Sequence, residues 1–592
     1  MLKPYHYFIL LFIIVNSNIS AQNLNAEIIM PGLVKSDDQI SMVVKVRNAD
    51  QTINNSVNGV FHISAVNASL ENSLIKIKRG VGSTITHIFA SDTIVVSINS
   101  LTGQKTVLVQ NDIPISRQNG EIYQNTVWIK DSIYRIDEDI TILPTAKLTI
   151  ESGVRIYVEE KVNFIIQGSI QINGSLQAPV VFQPVNIEKP WGGLRFINGS
   201  DSSTINYSFF TYGGNNEEYI YGHSNSQPII FADHSVLNIN NSFIIDNPGK
   251  AVGGLASSFK INNCVFSRCD TGGEYDDCSL NMSKTYFIDM PSDDGIPIDD
   301  DNDAIYVYGV YPFASNSSVI DDCTFITGKD DGIDHNGSIL EVRNSWIEGF
   351  YHEGIAASNT NSLTVYNTLI KNCDQGIEAG YYSPQVLIDH CVMINNNVGL
   401  RFGDSYDWGC SGHITAINSI MYGNEDNILN YDLLTQGPIP DAIAISYSMT
   451  NDIDYNANTG CITGTPLFDS NYFLQPNSPG IGMAADGGNL GLINSLFGIS
   501  EHTDRNDLLI KISPNPFYDN VNLLFSLAKN EKNLQIKVFN SVGTLQYTQK
   551  LPFLNKGNHS TTLQLENYSK GLYIIGLYQN NSIVAIQKVV KF

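Results

Sequence analysis

Short apolar runs separated by Asn, Asp and Gly recur through the middle of the chain with a period of about 22 residues. Successive rungs read INNSFIIDNPGKAV, INNCVFSRCDTGGEY, MSKTYFIDMPSDDGI, IDDCTFITGKDDGID, VRNSWIEGFYHEGIA, VYNTLIKNCDQGIEA, IDHCVMINNNVGLRF and AINSIMYGNEDNIL. A small residue follows the polar turn position of each: Ser242, Cys264, Thr285, Cys323, Ser345, Thr368, Cys391 and Ser419. Most steps are 21 to 23 residues, but Thr285 to Cys323 is 38, so one rung carries an insertion. β-Branched and aromatic runs parted by turn formers predict short strands. One rung cannot bury its apolar face alone, whereas stacked rungs share a continuous core. The pattern predicts a right-handed parallel β-helix over residues 140–497, with roughly 350 residues in about fourteen coils.

The flanks alternate differently. Residues 22–125 contain ISMVVKVRNAD, GVFHISAV and DTIVVSINSLTG, a two-residue period that predicts an immunoglobulin-like β-sandwich. A spacer or a carbohydrate-binding module suits that position, and the absence of an aromatic cluster favours the spacer. Residues 510–592 alternate again in VNLLFSL, LQIKVFNSVG, GLYIIGLY and AIQKVVKF, predicting a second small β-sandwich. The expected fold class is therefore all-β throughout. Residues 1–21 read as a signal peptide, with Lys3, an apolar stretch from Phe8 to Val15, and Ile19-Ser20-Ala21 as a cleavage site. No later stretch reaches about 18 apolar residues, so no transmembrane helix is expected.

Charge and cysteines narrow the function. Against 59 acidic residues stand 34 Lys and Arg, a formal charge of −25, which argues against nucleic acid and anionic membranes as partners. Of the eight cysteines, Cys264, Cys323 and Cys391 share a column with Ser and Thr and read as small inward-facing residues. Cys269 and Cys278 could bridge a loop.

A solenoid stacks equivalent positions, so chemistry is read in columns. Aligning Gly332, Gly354, Gly376 and Gly399 places Asp334, Ala356, Glu378 and Arg401 in one column. The position before each Gly holds Asp331, Glu353, Gln375 and Val398, and the one before that Asp330, His352, Asp374 and Asn397. Stacked carboxylates repel and call for a cation or a shared proton. The long rung adds Asp293, Asp294, Asp299, Asp300, Asp301 and Asp303, hard donors that suit Ca²⁺ better than zinc. Paired carboxylates, Asp331 with Glu353 or Asp334 with Glu378, could instead hydrolyse a glycosidic bond. Tyr351, Tyr381, Tyr382 and Trp408 are available to stack on sugars. A non-catalytic adhesin or glycan-binding solenoid fits the same composition.

Three resemblances add to this. Ser513–Phe517 (SPNPF), Val538–Gly543 (VFNSVG), Lys570–Ile574 (KGLYI) and Lys588–Phe592 (KVVKF) resemble the C-terminal sorting domain of the type IX secretion system of Bacteroidetes. That resemblance implies passage through the periplasm to the outer surface or the medium, with the secretion machinery as partner. The stretch around PWGGLRF and the closing TGTPLFDS and DGGNLG resemble the first and last coils of secreted bacterial β-helix proteins. Asp330-Asp331-Gly332-Ile333-Asp334 resembles the Asp-Asp-Gly-Phe-Asp motif of a family of β-helix pectate lyases. It implies that Asp330, Asp331 and Asp334 hold a catalytic Ca²⁺, joined by Asp294 or Asp303. The reaction implied is β-elimination on a uronate-containing polysaccharide, the ion binding the carboxylate and acidifying the C5 proton. That family uses a Lys in a Gly-Phe-Lys element as base. This chain has Arg401 in Gly399-Leu400-Arg401, which leaves Arg401 or Lys371 for that role, with His352 or water as the acid.

Overall fold

The computed structural model describes residues 24–199, 201–214, 219–223, 226–291, 302–309, 317–403, 409–493, 510–513, 517, 519–527, 530–532, 534–540, 545–579 and 582–591. The expected signal peptide, Asp293, Asp294, Asp299, Asp300, Asp301 and Trp408 lie outside them. Among the described residues there is no α-helix. Three long parallel sheets dominate. Sheet 1 has 13 strands, from Thr126–Trp128 to Ile443–Ser446. Sheet 2 has 14, from Ile115–Arg117 to Met449–Thr450, and sheet 3 has 13, from Gly120–Ile122 to Asp426–Asn430. Each coil gives one strand to each sheet, which makes a right-handed parallel β-helix. Its first strands begin at Ile115, ahead of the expected residue 140. The opening strands are only 3 residues long and carry no readable period.

The turn from sheet 1 to sheet 2 explains the repeated polar position. Asn241, Asn263, Asp322, Asn344, Asn367, His390 and Asn418 all adopt left-handed backbone, with φ between 46° and 57°. Asn and Asp tolerate that conformation better than other non-glycine residues. The following small residue points inward and accepts a backbone N–H from the neighbouring coil. Ser242 Oγ accepts from Ser208 N at 3.2 Å, Cys264 Sγ from Ser242 N at 3.5 Å, and Thr285 Oγ1 from Cys264 N at 3.4 Å. Thr368 and Ser419 repeat the contact with Ser345 N and Cys391 N. A thiol serves here as a hydroxyl does, and all eight cysteines are free. Cys269 and Cys278 therefore do not bridge. Cys278 Sγ accepts from Ser257 N at 3.4 Å, in a ladder of its own.

Two compact units divide the chain, residues 1–340 with 346–353, and residues 341–345 with 354–592. The first unit opens with a seven-stranded, mostly antiparallel sheet. Its 18-residue strand Val81–Ile98 pairs along its first half with Asp38–Arg47 and along its second with Gly59–Leu70 and Gln104–Val109. Ile40, Met42, Val44, Ile63, Ile77 and Val96 fill the core. A second cluster joins Ile29, Val43 and Val81 to Val181, Phe209, Phe243, Val265 and Tyr286 of sheet 2. Ion pairs Arg155–Asp38 and Lys78–Asp289 cross the same boundary, as do Lys45 Nζ to Asn263 Oδ1 at 2.9 Å and Arg268 Nη2 to Ser83 Oγ at 3.0 Å. The domain expected as a spacer is thus packed along one face of the solenoid.

In the second unit, residues 510–591 form a three-stranded and a four-stranded antiparallel sheet. Phe517, Val521, Leu523, Leu534, Val538 and Ile575 lie in their common core.

Candidate functional site

The turn leading into sheet 3 stacks Lys250, Thr271, Asp303, Asp331 and Glu353 in one column of the first unit. Its backbone bonds run from Ala251 N to Thr271 O (2.8 Å), Gly272 N to Asp303 O (3.2 Å), Ala304 N to Asp331 O (2.9 Å) and Gly332 N to Glu353 O (2.9 Å). The spacing of the rungs puts Asp331 and Glu353 in one column. The column is right, but its side chains are buried, at 2 % exposure for Asp303, 7 % for Asp331 and 4 % for Glu353. Two of these carboxylates reach over the following coil and accept a backbone N–H there. Glu353 N donates to Asp331 Oδ1 at 2.8 Å and Asp331 N to Asp303 Oδ1 at 3.4 Å. The second oxygen of Asp303 is buried without a hydrogen-bond partner.

Burial sets the protonation of this column. The Asp303 carboxyl is held well above the usual range by desolvation, then by the charges of Asp334 and Asp330. Asp331 is raised likewise, by desolvation and then by Glu353 and Asp303. Carboxyls stacked at about 4.8 Å disfavour one another's charged form away from water.

Asp330 and His352 border the column on the solvent side. His352 Nδ1 lies 3.1 Å from Asp330 Oδ1, 3.4 Å from Glu353 Oε2 and 4.0 Å from Asp331 Oδ1. Donor atoms of Asp330, Asp331 and His352 fall within 4.8 Å of one another, close enough for one ion. Asp334 is the second residue of the strand Ile333–Asn336 in sheet 3, in register with Tyr306, which pairs in turn with Glu274. Glu274 forms a buried ion pair with Lys250 at 2.8 Å. Sequence reasoning missed both residues, although carrying the column two coils back from Asp303 reaches Lys250.

The second unit holds the expected bases. Arg401 pairs in register with Glu378 in sheet 3, its Nε 3.9 Å from Glu378 Oε1 and its Nη1 3.3 Å from Gln375 Oε1. Lys371 closes the strand Leu369–Lys371 of sheet 2, and its ammonium lies 5.0 Å from the Tyr472 ring centroid. The two cations thus belong to different sheets. Tyr381 and Tyr382 stand with ring centroids 4.9 Å apart, the latter exposed, and Tyr351 is exposed beside His352 in the first unit.

Residues 120–224 match the family model of a pectate-lyase like β-helix domain, and residues 298–457 that of a right-handed β-helix region. Residues 511–591 match a secretion system C-terminal sorting domain. The chain is a right-handed β-helix protein ending in a type IX sorting domain. That domain directs it to the medium or the cell surface. No curated protein matches the chain. Among solved structures, it is similar to an alginate lyase from Paenibacillus sp. at 12 % identity, covering 50 % of this chain and 93 % of that one with a TM-score of 0.26. It is also similar to a GH87 α-1,3-glucanase catalytic unit from Streptomyces thermodiastaticus (11 % identity, 76 % and 91 % covered, TM-score 0.34). A third is the mannuronan C-5 epimerase A-module of Azotobacter vinelandii (12 % identity, 51 % and 88 % covered, TM-score 0.30). No helix among the described residues is long and apolar enough to cross a membrane.

Proposed function

We propose that the protein cleaves an extracellular polysaccharide at the acidic turn of Asp303, Asp330 and Asp331, by acid–base hydrolysis. The observation that carries this is the buried carboxyl of Asp331, held above its usual range by desolvation and by Glu353, next to the more open carboxylate of Asp330, whose neighbour is His352 Nδ1 at 3.1 Å. Two carboxyl groups set apart by environment are the usual source of acid and base for glycoside hydrolysis. Asp331 gives its proton to the glycosidic oxygen as the bond to the anomeric carbon breaks. Water adds to that carbon while its proton passes to Asp330. Solvent then carries that proton back to Asp331, so one water is consumed per bond. Exposed Tyr351 is placed to meet a sugar ring beside the same turn.

The same cluster favours a second reading, a Ca²⁺-dependent lyase. Oxygens of Asp330 and Asp331, with the buried oxygen of Asp303 and with Asp334 near by, fit a hard divalent ion, although the His352 nitrogen is not a donor that Ca²⁺ selects. A bound ion would clamp a uronate carboxylate and acidify the adjacent C–H. For the base of this reading the sequence offers Arg401 or Lys371, both in the second unit. Hydrolysis is preferred because its acid and base stand together in one turn, whereas elimination needs a base from another part of the chain.

Incubation with polygalacturonate, alginate and neutral glucans separates the readings. New reducing ends without ultraviolet absorbance support hydrolysis, absorbance of an unsaturated uronate supports elimination, and binding with neither supports a glycan-binding solenoid.

A further inference from the structure

The turn beside the carboxyl column holds a mixed donor set that no short motif in the chain displays. Asp330 and Asp331 belong to one coil and His352 to the next. Backbone bonds from His352 N to Asp330 O (3.4 Å) and from Gly332 N to Glu353 O (2.9 Å) keep the two turns in step. Donors that each lie about 2.0–2.2 Å from a zinc-type ion are at most about 4.4 Å apart. His352 Nδ1 meets that limit toward both carboxyl groups, at 3.1 Å from Asp330 Oδ1 and 4.0 Å from Asp331 Oδ1. Two carboxylates match the charge of a divalent ion, and the half-exposed imidazole leaves a side open for its entry. On the preceding coil, Asp303 Oδ2 is buried without a hydrogen-bond partner among the described residues, while its sister oxygen accepts Asp331 N at 3.4 Å. A cation held by Asp331 supplies the positive charge that this orphaned oxygen lacks. Ca²⁺ is the poorer fit, because it takes about six to eight oxygen ligands. The cluster instead brings an imidazole nitrogen between its carboxylates, and imidazole suits zinc, nickel and copper.

We infer that Asp330, Asp331 and His352 bind a divalent transition-metal ion of the zinc class, and that this ion switches cleavage off. Binding follows from the donor geometry alone, whereas the switch rests on the cleavage reading above. An ion on the Asp330 and Asp331 oxygens occupies the lone pairs that the base and the acid need. Neither group can then exchange a proton with the attacking water or the glycosidic oxygen. No bond in the glycan is made or broken by the ion, and its removal restores both groups.

The test uses the full-length protein, stripped with a chelator and dialysed, with Zn²⁺ and Ca²⁺ salts as probes. Calorimetric titration of the parent should show one tight Zn²⁺ equivalent that Ca²⁺ in large excess does not displace. His352→Ala and Asp330→Asn should each weaken that equivalent at least about tenfold, since even groups that only orient a metal ligand are worth that much. Circular dichroism should match the parent in both variants, because both side chains border solvent. With free Zn²⁺ fixed by a metal buffer, reducing-end release from the glycan that the parent cleaves should fall at least about tenfold and return when a chelator is added. Equal Zn²⁺ affinity in parent and variants, or Ca²⁺ bound in preference to Zn²⁺, overturns the metal site. Tight Zn²⁺ binding with cleavage unchanged or accelerated overturns the switch and leaves the site and the cleavage reading standing. Tight Zn²⁺ binding by a parent that cleaves no glycan leaves the site standing and overturns the switch together with the cleavage reading.

Discussion

Asp303→Asn should make the protein more stable at pH 8. Asp303 has a carboxyl oxygen buried without a partner, facing the charges of Asp330 and Asp334. Asn keeps the acceptor for Asp331 N and removes the ionisable group. Each tenfold by which burial tightens proton binding in the folded state is worth about 1.4 kcal/mol once the group ionises. The sign follows from linkage. A carboxyl whose folded pKa is raised contributes stability that is complete below its unfolded value of about 3.9 and is lost as pH climbs through the folded value. The parent therefore weakens with rising pH, and the variant escapes that loss. For a unit of roughly 350 residues the unfolding entropy is about 0.7 kcal/mol/K, so the midpoint should rise by about 2 °C at pH 8 for each such tenfold. At pH 4 the two proteins should melt together. Thermal scans by circular dichroism in a chelator measure the difference. A variant that melts lower at pH 8, or is shifted equally at both pH values, would refute the reasoning, because the charge of Asp303 would then be compensated.

Other expectations follow from the same coordinates. In native protein one thiol, that of partly exposed Cys461, should react quickly with an aromatic disulfide reagent, because the other seven cysteines are buried and burial pushes Cys264 up to about 11 and Cys391 to about 12. Several fast thiols would contradict the inward ladder. Arg268→Ala should cost about 1–3 kcal/mol and expose residues 24–109 to protease, since Arg268 bonds Asp246 at 2.6 and 2.8 Å and reaches Ser83 at 3.0 Å. Unchanged proteolysis would mean that the apolar contacts alone fix that domain. Removing residues 510–592 should leave the protein in the periplasm, and normal display of the truncated chain would argue against the sorting role of that domain.

The repeat made much of the fold legible. Every coil must solve the same turn, so Asn263 and Asn418, more than 150 residues apart, show the same left-handed backbone. Columns also carried residues into register as read, as Glu378 with Arg401 and Asp331 with Glu353 demonstrate. What escaped is whatever does not repeat. Register tells which residues stack, not what covers them, so the burial of Asp331 and Glu353 could not be read from spacing. Residues 219–223 and the docked N-terminal sheet belong to no period. Their partners, such as Glu274 for His223 and Asn263 for Lys45, lie 51 and 218 positions away. The aspartates of the long rung and the turn could be counted in the sequence, but it took packing to show that Asp303 is buried beside Asp331.

The central claim is that the buried carboxyl column is a cleavage site. The most direct test compares reducing-end release by the parent and by Asp331→Asn on the same uronate polysaccharide. Asn retains the acceptor for Glu353 N, so the circular dichroism and melting of the variant should match the parent within a few degrees. The account predicts a loss of at least about 100-fold in rate with binding retained, the scale expected for removal of a general acid. Equal rates in the two proteins would contradict it.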